Sequence, residues 1–397
     1  MSCLSIAIVS ETYPPEVNGV AMTLQRMVGG LLARGHYLHL LRPRQGDESD
    51  AKKQERFQET LLPSLPLPGY SGLRLGLPQR GLLLRLWRRD PPDVVQVVTE
   101  GPLGAAAVAA ARHLHIPLLT EYHTNFDAYS RHYGIPWLRP LIAAHLRRLH
   151  NRGDLTLVPT EALADALSTD GYQSLRVVAR GIDTRLFSPG RRSNKLRASW
   201  GVGPDDLVVA YVGRLAAEKN LPLACAAFEA IRRRHPGARL LLVGTGPLQR
   251  QLKSLRGAEE AIFAGLRHGV DLAEHYASAD LFVFPSLTET FGNVVAEALA
   301  SGLPVLAYRC AAAAELIRDG DNGLSVAPGD GAAFLSAALT LAQQLPARGE
   351  RRWSIAASVA RLDWEHIYDH QVEALRQAMQ RRLRSSDEPN FYRFLPK

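Results

Sequence analysis

Two glutamates, Glu289 and Glu297, stand eight positions apart in the run E-T-F-G-N-V-V-A-E. Before them lies a short apolar stretch, Leu281–Pro285, with the composition of a buried strand; from Asn293 to Ala300 the spacing is helical. A carboxylate in the loop after a buried strand can accept hydrogen bonds from sugar hydroxyls. Thr290, Phe291, Gly292 and Asn293 would open the helix, whose free N–H groups and positive dipole end can hold an anion. Glu297, on an early turn, can take two hydrogen bonds from vicinal hydroxyls such as those of a ribose. One element thus offers contacts to sugar hydroxyls, diphosphate and ribose. Two glutamates at this separation also arise by chance, so the argument depends on what accompanies them.

The accompanying residues follow other predicted strands. Leu207–Val212 ends at Gly213, and Arg214 and Lys219 come next at a spacing of five. An Arg fork and a Lys point charge beside a strand-end turn are what a diphosphate requires. Leu240–Val243 runs into Gly244-Thr245-Gly246-Pro247, a close-approach turn that could flank a nucleotide, although glycine turns after strands are common. After Pro117–Glu121 come Tyr122, His123 and Thr124, with Tyr129 and Tyr133 close behind. Aromatic, hydroxyl and imidazole groups together suit a sugar, which needs fixed donors and acceptors and apolar faces. Asn18-Gly19, after the first strand, suits a tight positive-φ turn that brings backbone N–H groups to a ligand, and fits a plain strand-to-helix turn equally well. That turn lacks G-x-G-x-x-G, which argues against a nicotinamide cofactor.

Positioning these residues requires an alternation of strands and helices, and the chain has it. Ser5–Ser10, Tyr37–Leu41, Val94–Val98, Pro117–Glu121 and Leu155–Val158 read as strands, with helices over about 21–34 and 100–115. Residues 43–70, charged and with four prolines, read mostly as loop, and Gly181–Asp206 as a linker. The alternation then restarts with strands at 207–212, 239–243, 281–285 and 305–308, and helices near 222–234, 247–255, 271–277 and 293–300. A charged amphipathic helix, Trp364–Arg384, closes the chain. The expected organisation is an N-terminal domain over 1–187, a nucleotide-sugar-binding domain over 188–363, and a terminal helix and tail over 364–397. Both domains would be doubly wound α/β units facing a cleft, with ligands beyond the C-terminal ends of strands.

The whole chain agrees with this frame. Its 397 residues are too many for one ordinary core, and 46% hydrophobic with 22% charged residues is a globular composition. No run approaches the ~18–20 apolar residues that span a bilayer, and the N-terminus lacks a basic leader. Cys3, Cys225 and Cys310 have no metal or redox spacing, which favours a reducing, cytoplasmic compartment. The net charge of +8 divides evenly between residues 1–190 and 191–397. Two stretches, Thr60–Arg89 and Ala128–Gly153, each hold five arginines and no acid. Taken singly these are solvated faces. As a pair, one of them G-L-L-L-R-L-W-R-R, they also fit an anionic membrane surface, whereas no nucleic-acid-reading module accompanies the charge.

In combination the motifs resemble the retaining glycosyltransferases of family 4, with the GT-B fold. The resemblance covers nearly the whole chain: Pro14-Pro15 to Gly19, Glu121-Tyr122-His123-Thr124, Arg180-Gly181-Ile182-Asp183, Gly213-Arg214 with Lys219, Val243-Gly244-Thr245-Gly246-Pro247, and Glu289 to Glu297. Within the family, E-Y-H-T-N-F-D-A-Y-S-R-H-Y-G and E-T-F-G-N-V-V-A-E-A are similar to the branch of bacterial lipid mannosyl- and glucosyltransferases and sulfoquinovosyl-diacylglycerol synthases. Many members have two glycines and a glutamate after the strand at 305–308, where this chain has Arg309-Cys310-Ala311-Ala312, an alanine-rich version that fits the lipid-linked branch.

The resemblance implies roles. Arg214, Lys219 and the helix start at Phe291–Asn293 would hold the donor diphosphate, with Gly19 letting a loop approach it. Glu297 would bind ribose, Glu289 the donor sugar, and His123 would orient that sugar near the reacting carbon. The aromatic and hydroxyl residues Tyr122, Thr124, Tyr129 and Tyr133 fall to the acceptor. Retention by front-face substitution needs no carboxylate nucleophile, so the paired-carboxylate logic of glycosidases does not apply. No D-x-D site is present, and the expected reaction uses a nucleotide sugar without a metal or other cofactor. The expected donor is GDP-mannose, with a lipid or glycolipid acceptor at the inner membrane face; the alternative donor is UDP-glucose or another UDP-hexose, acting on a lipid or polysaccharide precursor. A sugar-nucleotide epimerase or phosphorylase of the same fold, and a non-catalytic sugar-nucleotide-binding protein, are the alternatives.

Overall fold

The computed structural model describes residues 3–16, 18–45, 48, 51–66, 74–123, 139–203, 206–287, 289, 291–344 and 350–387. They fall into two units, Met1–Ala179 with Glu365–Lys397, and Arg180–Trp364.

The first unit runs β1 (Ser5–Val9), α1 (Gly19–Ala33), β2 (Tyr37–Pro43), β3 (Lys53–Gln54), β4 (Phe57–Leu62), β5 (Ser64–Pro66), β6 (Arg74–Gly76), α2 (Arg80–Arg89), β7 (Val94–Val97), α3 (Pro102–His113), β8 (Leu118–Glu121), α4 (Arg139–His150), β9 (Leu155–Val158), α5 (Glu161–Thr169) and β10 (Leu175–Val177). Its main sheet has the order β10-β9-β8-β7-β1-β2-β4-β3, parallel except for β3. The central strands β1 and β7 are buried on both faces along almost all their length, which suits their largely apolar sequence, with Gln96 of β7 the buried polar exception. The strand order reverses between β1 and β7.

The second unit repeats the plan with α6 (Asn194–Ser199), β11 (Val208–Val212), α7 (Leu221–Arg232), β12 (Arg239–Val243), α8 (Gln249–Leu252), β13 (Ile262–Gly265), α9 (Gly269–Ser278), β14 (Leu281–Phe284), α10 (Asn293–Ala300), β15 (Val305–Tyr308), α11 (Ala311–Leu316), β16 (Gly323–Val326), α12 (Gly331–Gln344) and α13 (Glu350–Ala357). Six parallel strands lie in the order β13-β12-β11-β14-β15-β16. The reversal falls between β11 and β14, where a doubly wound sheet opens a crevice for ligands. The last helix, α14 (Trp364–Asp387), belongs to the first unit from Glu365 on. Arg34, which caps the end of α1, reaches Glu365 and Asp369, each at 3.0 Å, and Arg176 reaches Glu373 at 2.8 Å.

Three expectations are corrected. Residues 43–70 are not mostly loop, since β4 pairs with β2 along six residues. Their charges mislead because they are internally paired: Arg42, 3% exposed, binds Glu59 at 2.7 Å and Glu48 at 2.8 Å. Gly181–Asp206 is not a free linker. Arg197 within it is buried and donates to Ser278 O, Asp280 Oδ2 and Gly203 O, while Arg192 donates to Ala279 O. These guanidinium groups satisfy carbonyls that the end of α9 leaves without helical partners. The arginine-rich G-L-L-L-R-L-W-R-R is α2, and its Leu83 and Trp87 are core residues packed with α3, so they offer no apolar face to a membrane.

Candidate active site

The second unit builds its site where the loops after β11 and β14 leave adjacent strands. After Gly213 a single 3-10 turn, Ala217–Lys219, and a left-handed Asn220 (φ 51°, ψ 43°) turn the chain into α7 and place Lys219 at the strand ends. Its Nζ donates to Glu289 Oε1, and it lies 5.8 Å from the centre of the Phe284 ring. The sequence assigned these two side chains to different parts of a ligand; in the structure they hold each other. Cys310 is beside them: burial pushes its thiol up, Glu289 adds to that and Lys219 opposes it. Arg214 takes no part in the pair. Its side chain is 70% exposed and its nearest acid is Glu218 at 3.9 Å.

Helix α10 starts from Gly292, whose φ of 89° and ψ of 62° are in the left-handed region that glycine enters without strain. Among the described residues no side chain caps this end, and the first turn holds no acid. The N–H groups and the dipole are therefore available to an anion. Asn293 adds a buried Oδ1 with no hydrogen-bond partner. The Phe291 side chain is 2% exposed and packs in the core, and its carbonyl accepts Ala312 N at 2.8 Å, so only its backbone can serve a ligand. Glu297 accepts the Tyr276 hydroxyl at Oε2, 2.9 Å away. Burial pushes Glu297 up to about 7, against the opposing pull of that hydroxyl.

Gly244 and Gly246 also have a packing reason. A Cβ at Gly244 would stand 2.0 Å from Gly213 O, and one at Gly246 2.3 Å from Leu215 O. Leu215 N donates to Thr245 O at 2.9 Å. The two strand-end turns thus pack backbone against backbone, and the glycines shape the Arg214–Lys219 loop.

In the first unit His123 follows β8, and its Nε2 lies 2.5 Å from Glu121 Oε2. The other oxygen of Glu121 accepts the amides of Gln96, on β7, and of Gln371, on α14, the latter at 3.3 Å. A carboxylate accepts only, so Nε2 carries the proton in this pair. Tyr122 points the other way, into a core with Leu146, Val158, Leu167 and Tyr172, and its ring is 5.9 Å from that of Tyr172. It is a packing residue and offers a sugar no face. Asn18 is extended (φ −147°, ψ 169°) and caps α1 by accepting Ala21 N, with Gly19 the first helical residue, so the ordinary strand-to-helix turn is the one adopted. Glu11 ties the preceding loop to α3 by accepting Gly76 N at 2.6 Å and Leu103 N at 2.8 Å, and burial pushes its carboxyl up. Thr124, Tyr129, Tyr133 and Thr290 lie outside the described residues.

Sequence reasoning missed Glu121 and Tyr276. Glu121 had a signal, because residues two apart at a strand end share a face. Tyr276 had none, being one apolar-face residue of α9 among others. Among the described residues no group of three or more His, Cys, Asp or Glu is placed to hold a metal, and no helix is long and apolar enough to cross a membrane.

Known proteins share this arrangement. Residues 17–186 match the model described as Glycosyltransferase Family 4, and residues 206–344 that described as Glycosyl transferases group 1. A GDP-mannose-dependent alpha-mannosyltransferase of Corynebacterium glutamicum is 33% identical over 377 residues, 94% of this chain and 86% of that protein. An alpha-monoglucosyldiacylglycerol synthase of Streptococcus pneumoniae is 27% identical over 77% of this chain and 71% of its own. In fold, sucrose-phosphate synthase from Thermosynechococcus elongatus superposes with a TM-score of 0.73 over 94% of this chain and 99% of that one, at 19% identity. With two family models in sequence and a relative one-third identical along almost the full length, the chain belongs to glycosyltransferase family 4 and is a glycosyltransferase of the GT-B fold.

Proposed function

We propose that this glycosyltransferase moves a hexose from a nucleotide sugar, GDP-mannose first among the candidates, to a hydroxyl of a lipid or glycolipid, with retention and without a metal ion. The observation that carries the reading is the Lys219–Glu289 pair beside the uncapped start of α10. Lys219 can exchange Glu289 for a phosphate oxygen while Glu289 takes hydroxyls of the sugar, so one ligand with both groups satisfies both partners. As the bond between sugar and diphosphate breaks, negative charge grows on the leaving phosphate. Lys219, Arg214 and the α10 N–H groups stabilise it, which is the service a metal would otherwise give. Glu297 holds the ribose, and His123, its ring fixed by Glu121, serves the sugar. The acceptor hydroxyl passes its proton to the leaving phosphate.

The lipid acceptor is supported by the relative that makes a monoglucosyldiacylglycerol, and GDP-mannose by the one named for it. Exposed Arg80, Arg85, Arg88 and Arg89 on α2 suit a peripheral approach to the anionic cytoplasmic face of a membrane. The test is a screen of labelled GDP- and UDP-sugars against extracted lipids with and without EDTA, with the anomeric configuration read by NMR. A retained mannosyl lipid formed equally in EDTA is the expected product. A glucosyl lipid from UDP-glucose would move the donor to the second candidate. Epimerised donor without an acceptor, or loss of product in EDTA, would overturn the reading.

A further inference from the structure

Tyr276 has no exposed surface. Its ring meets Phe187 edge-on (centroids 5.7 Å apart, 80° between planes) and leans on Phe282 (5.7 Å, 55°), two residues from different elements that leave the ring no room to turn. Its hydroxyl ends 2.9 Å from Glu297 Oε2 on the next helix. A rigid, buried phenol aimed at one oxygen of a carboxylate fixes the orientation of both oxygens.

We infer that Tyr276 is a positioning residue for the nucleoside part of the donor, holding Glu297 ionised and turned so that Oε1 meets the vicinal ribose hydroxyls. The inference rests on the reading that Glu297 holds ribose. A protonated Glu297 would spend one oxygen as an O–H donor and lose acceptor capacity, so binding of the ribose depends on its charge. Burial pushes this carboxyl up to about 7, and the Tyr276 hydroxyl works against that by favouring the anion.

Most of the other titratable and charged groups on the elements around Glu297 are engaged elsewhere. Tyr211 on β11, held well above its ordinary range by burial, donates to Arg214 O at 3.0 Å. On α9, His275 bonds Asp271 O. From α13, Arg352 donates to Ala277 O and Ala279 O, and Arg351 to Gly320 O and Asp321 O. The Asp271 carboxylate pairs with Arg267 at 3.0 Å, Glu274 on α9 and Glu315 on α11 are the other acids with described side chains, and burial pushes the Tyr308 hydroxyl on β15 up. Tyr276 is the group whose hydrogen bond opposes the effect of burial on Glu297.

The experiment is calorimetric binding of GDP-mannose and UDP-glucose, without acceptor, from pH 5.5 to 8.5, for the wild type, Tyr276→Phe and Glu297→Gln. Intact nucleotide sugars are used because their diphosphate diester does not titrate in this range, as a free nucleoside diphosphate does. For the wild type, affinity at pH 6 is expected to be roughly tenfold below that at pH 8.5. Tyr276→Phe keeps both ring contacts. It should bind within about threefold of wild type at pH 8.5 and roughly another tenfold weaker at pH 6, because the lost hydrogen bond had favoured the anion. Glu297→Gln should bind weakly, with no step near neutral pH. A Tyr276→Phe profile that superimposes on the wild type, or one displaced equally at every pH as a packing defect would be, overturns the inference. Wild-type affinity in Glu297→Gln would instead overturn the ribose assignment on which it rests.

Discussion

Lys219 Nζ is hydrogen-bonded to Glu289 Oε1, although seventy residues separate them, because β11 and β14 are neighbours at the point where the strand order of the second unit reverses. The pair neutralises two charges that, in the function proposed above, a donor uses separately. Glu289→Ala and Lys219→Ala should each lower kcat/KM by about 10³-fold or more, the scale on which charge-stabilising groups act. Glu289→Gln separates their roles. With its anionic partner gone, Lys219 should bind a bare nucleoside diphosphate several-fold more tightly than in the wild type, while transfer still fails. Isothermal titration with GDP and UDP reads the first effect, and unchanged or weaker binding would contradict the resting pair.

Glu121 is predicted to act through His123. Glu121→Gln keeps the shape but presents a weaker acceptor to Nε2 and can aim an amide N–H at it, so the ring loses its fixed proton position. The expected result is a fall in kcat of about 10- to 100-fold, as for other orienting partners of a histidine, with a smaller change in donor KM. In a double-mutant cycle, Glu121→Gln in the His123→Ala background should cost little more than His123→Ala alone. Fully additive losses would separate the two residues. Gln371→Leu should reproduce part of the effect, since its amide from α14 helps hold Glu121.

The strands and the chemistry at their ends were legible because β-branched runs between glycine turns announce a buried parallel sheet and its C-terminal edge. That is why Lys219, Glu289 and His123 could be placed just after strand ends before their roles were taken from the family resemblance. Partnerships were not legible. Composition counts Glu48 and Glu59 as part of a charged loop, although Arg42 on β2 pairs with both. It counts Arg192 and Arg197 as linker, although they close the end of α9. The same blindness made Tyr122 look like a ligand group: an aromatic beside a histidine at a strand end points to the opposite face by the period of two, and that face is a core.

Glu297 carries a stability prediction of definite sign. Its carboxyl is raised by burial to about 7 in the folded state, above the unfolded value near 4.5. Protonated, it favours the fold below about pH 4.5, and this contribution is lost as pH rises through about 7. The ligand-free protein at pH 8 therefore holds an ion that prefers water. Glu297→Gln should stabilise the second unit by about 2 kcal/mol at pH 8 and by much less at pH 5. Thermal melts of the two proteins at both pH values check this. A variant that is less stable than the wild type at pH 8 would contradict it, and added donor should stabilise the wild type far more than the variant.

Membrane approach through α2 must be electrostatic, because Leu83 and Trp87 are spent on the core and the exposed part of the helix is arginine. At ~1 kcal/mol per basic residue near an anionic surface, Arg80, Arg85, Arg88 and Arg89 could together supply a few kcal/mol, within a range that salt screens. Co-sedimentation with phosphatidylglycerol vesicles at low salt should therefore exceed that with phosphatidylcholine vesicles, and should fall steeply by 0.5 M NaCl. Replacing the four arginines by glutamine should remove most of the difference while leaving nucleotide-sugar binding at the wild-type level, since none of them belongs to the second unit. Binding that persists at high salt, or that ignores the lipid charge, would point to apolar insertion by some other segment and remove α2 from the account.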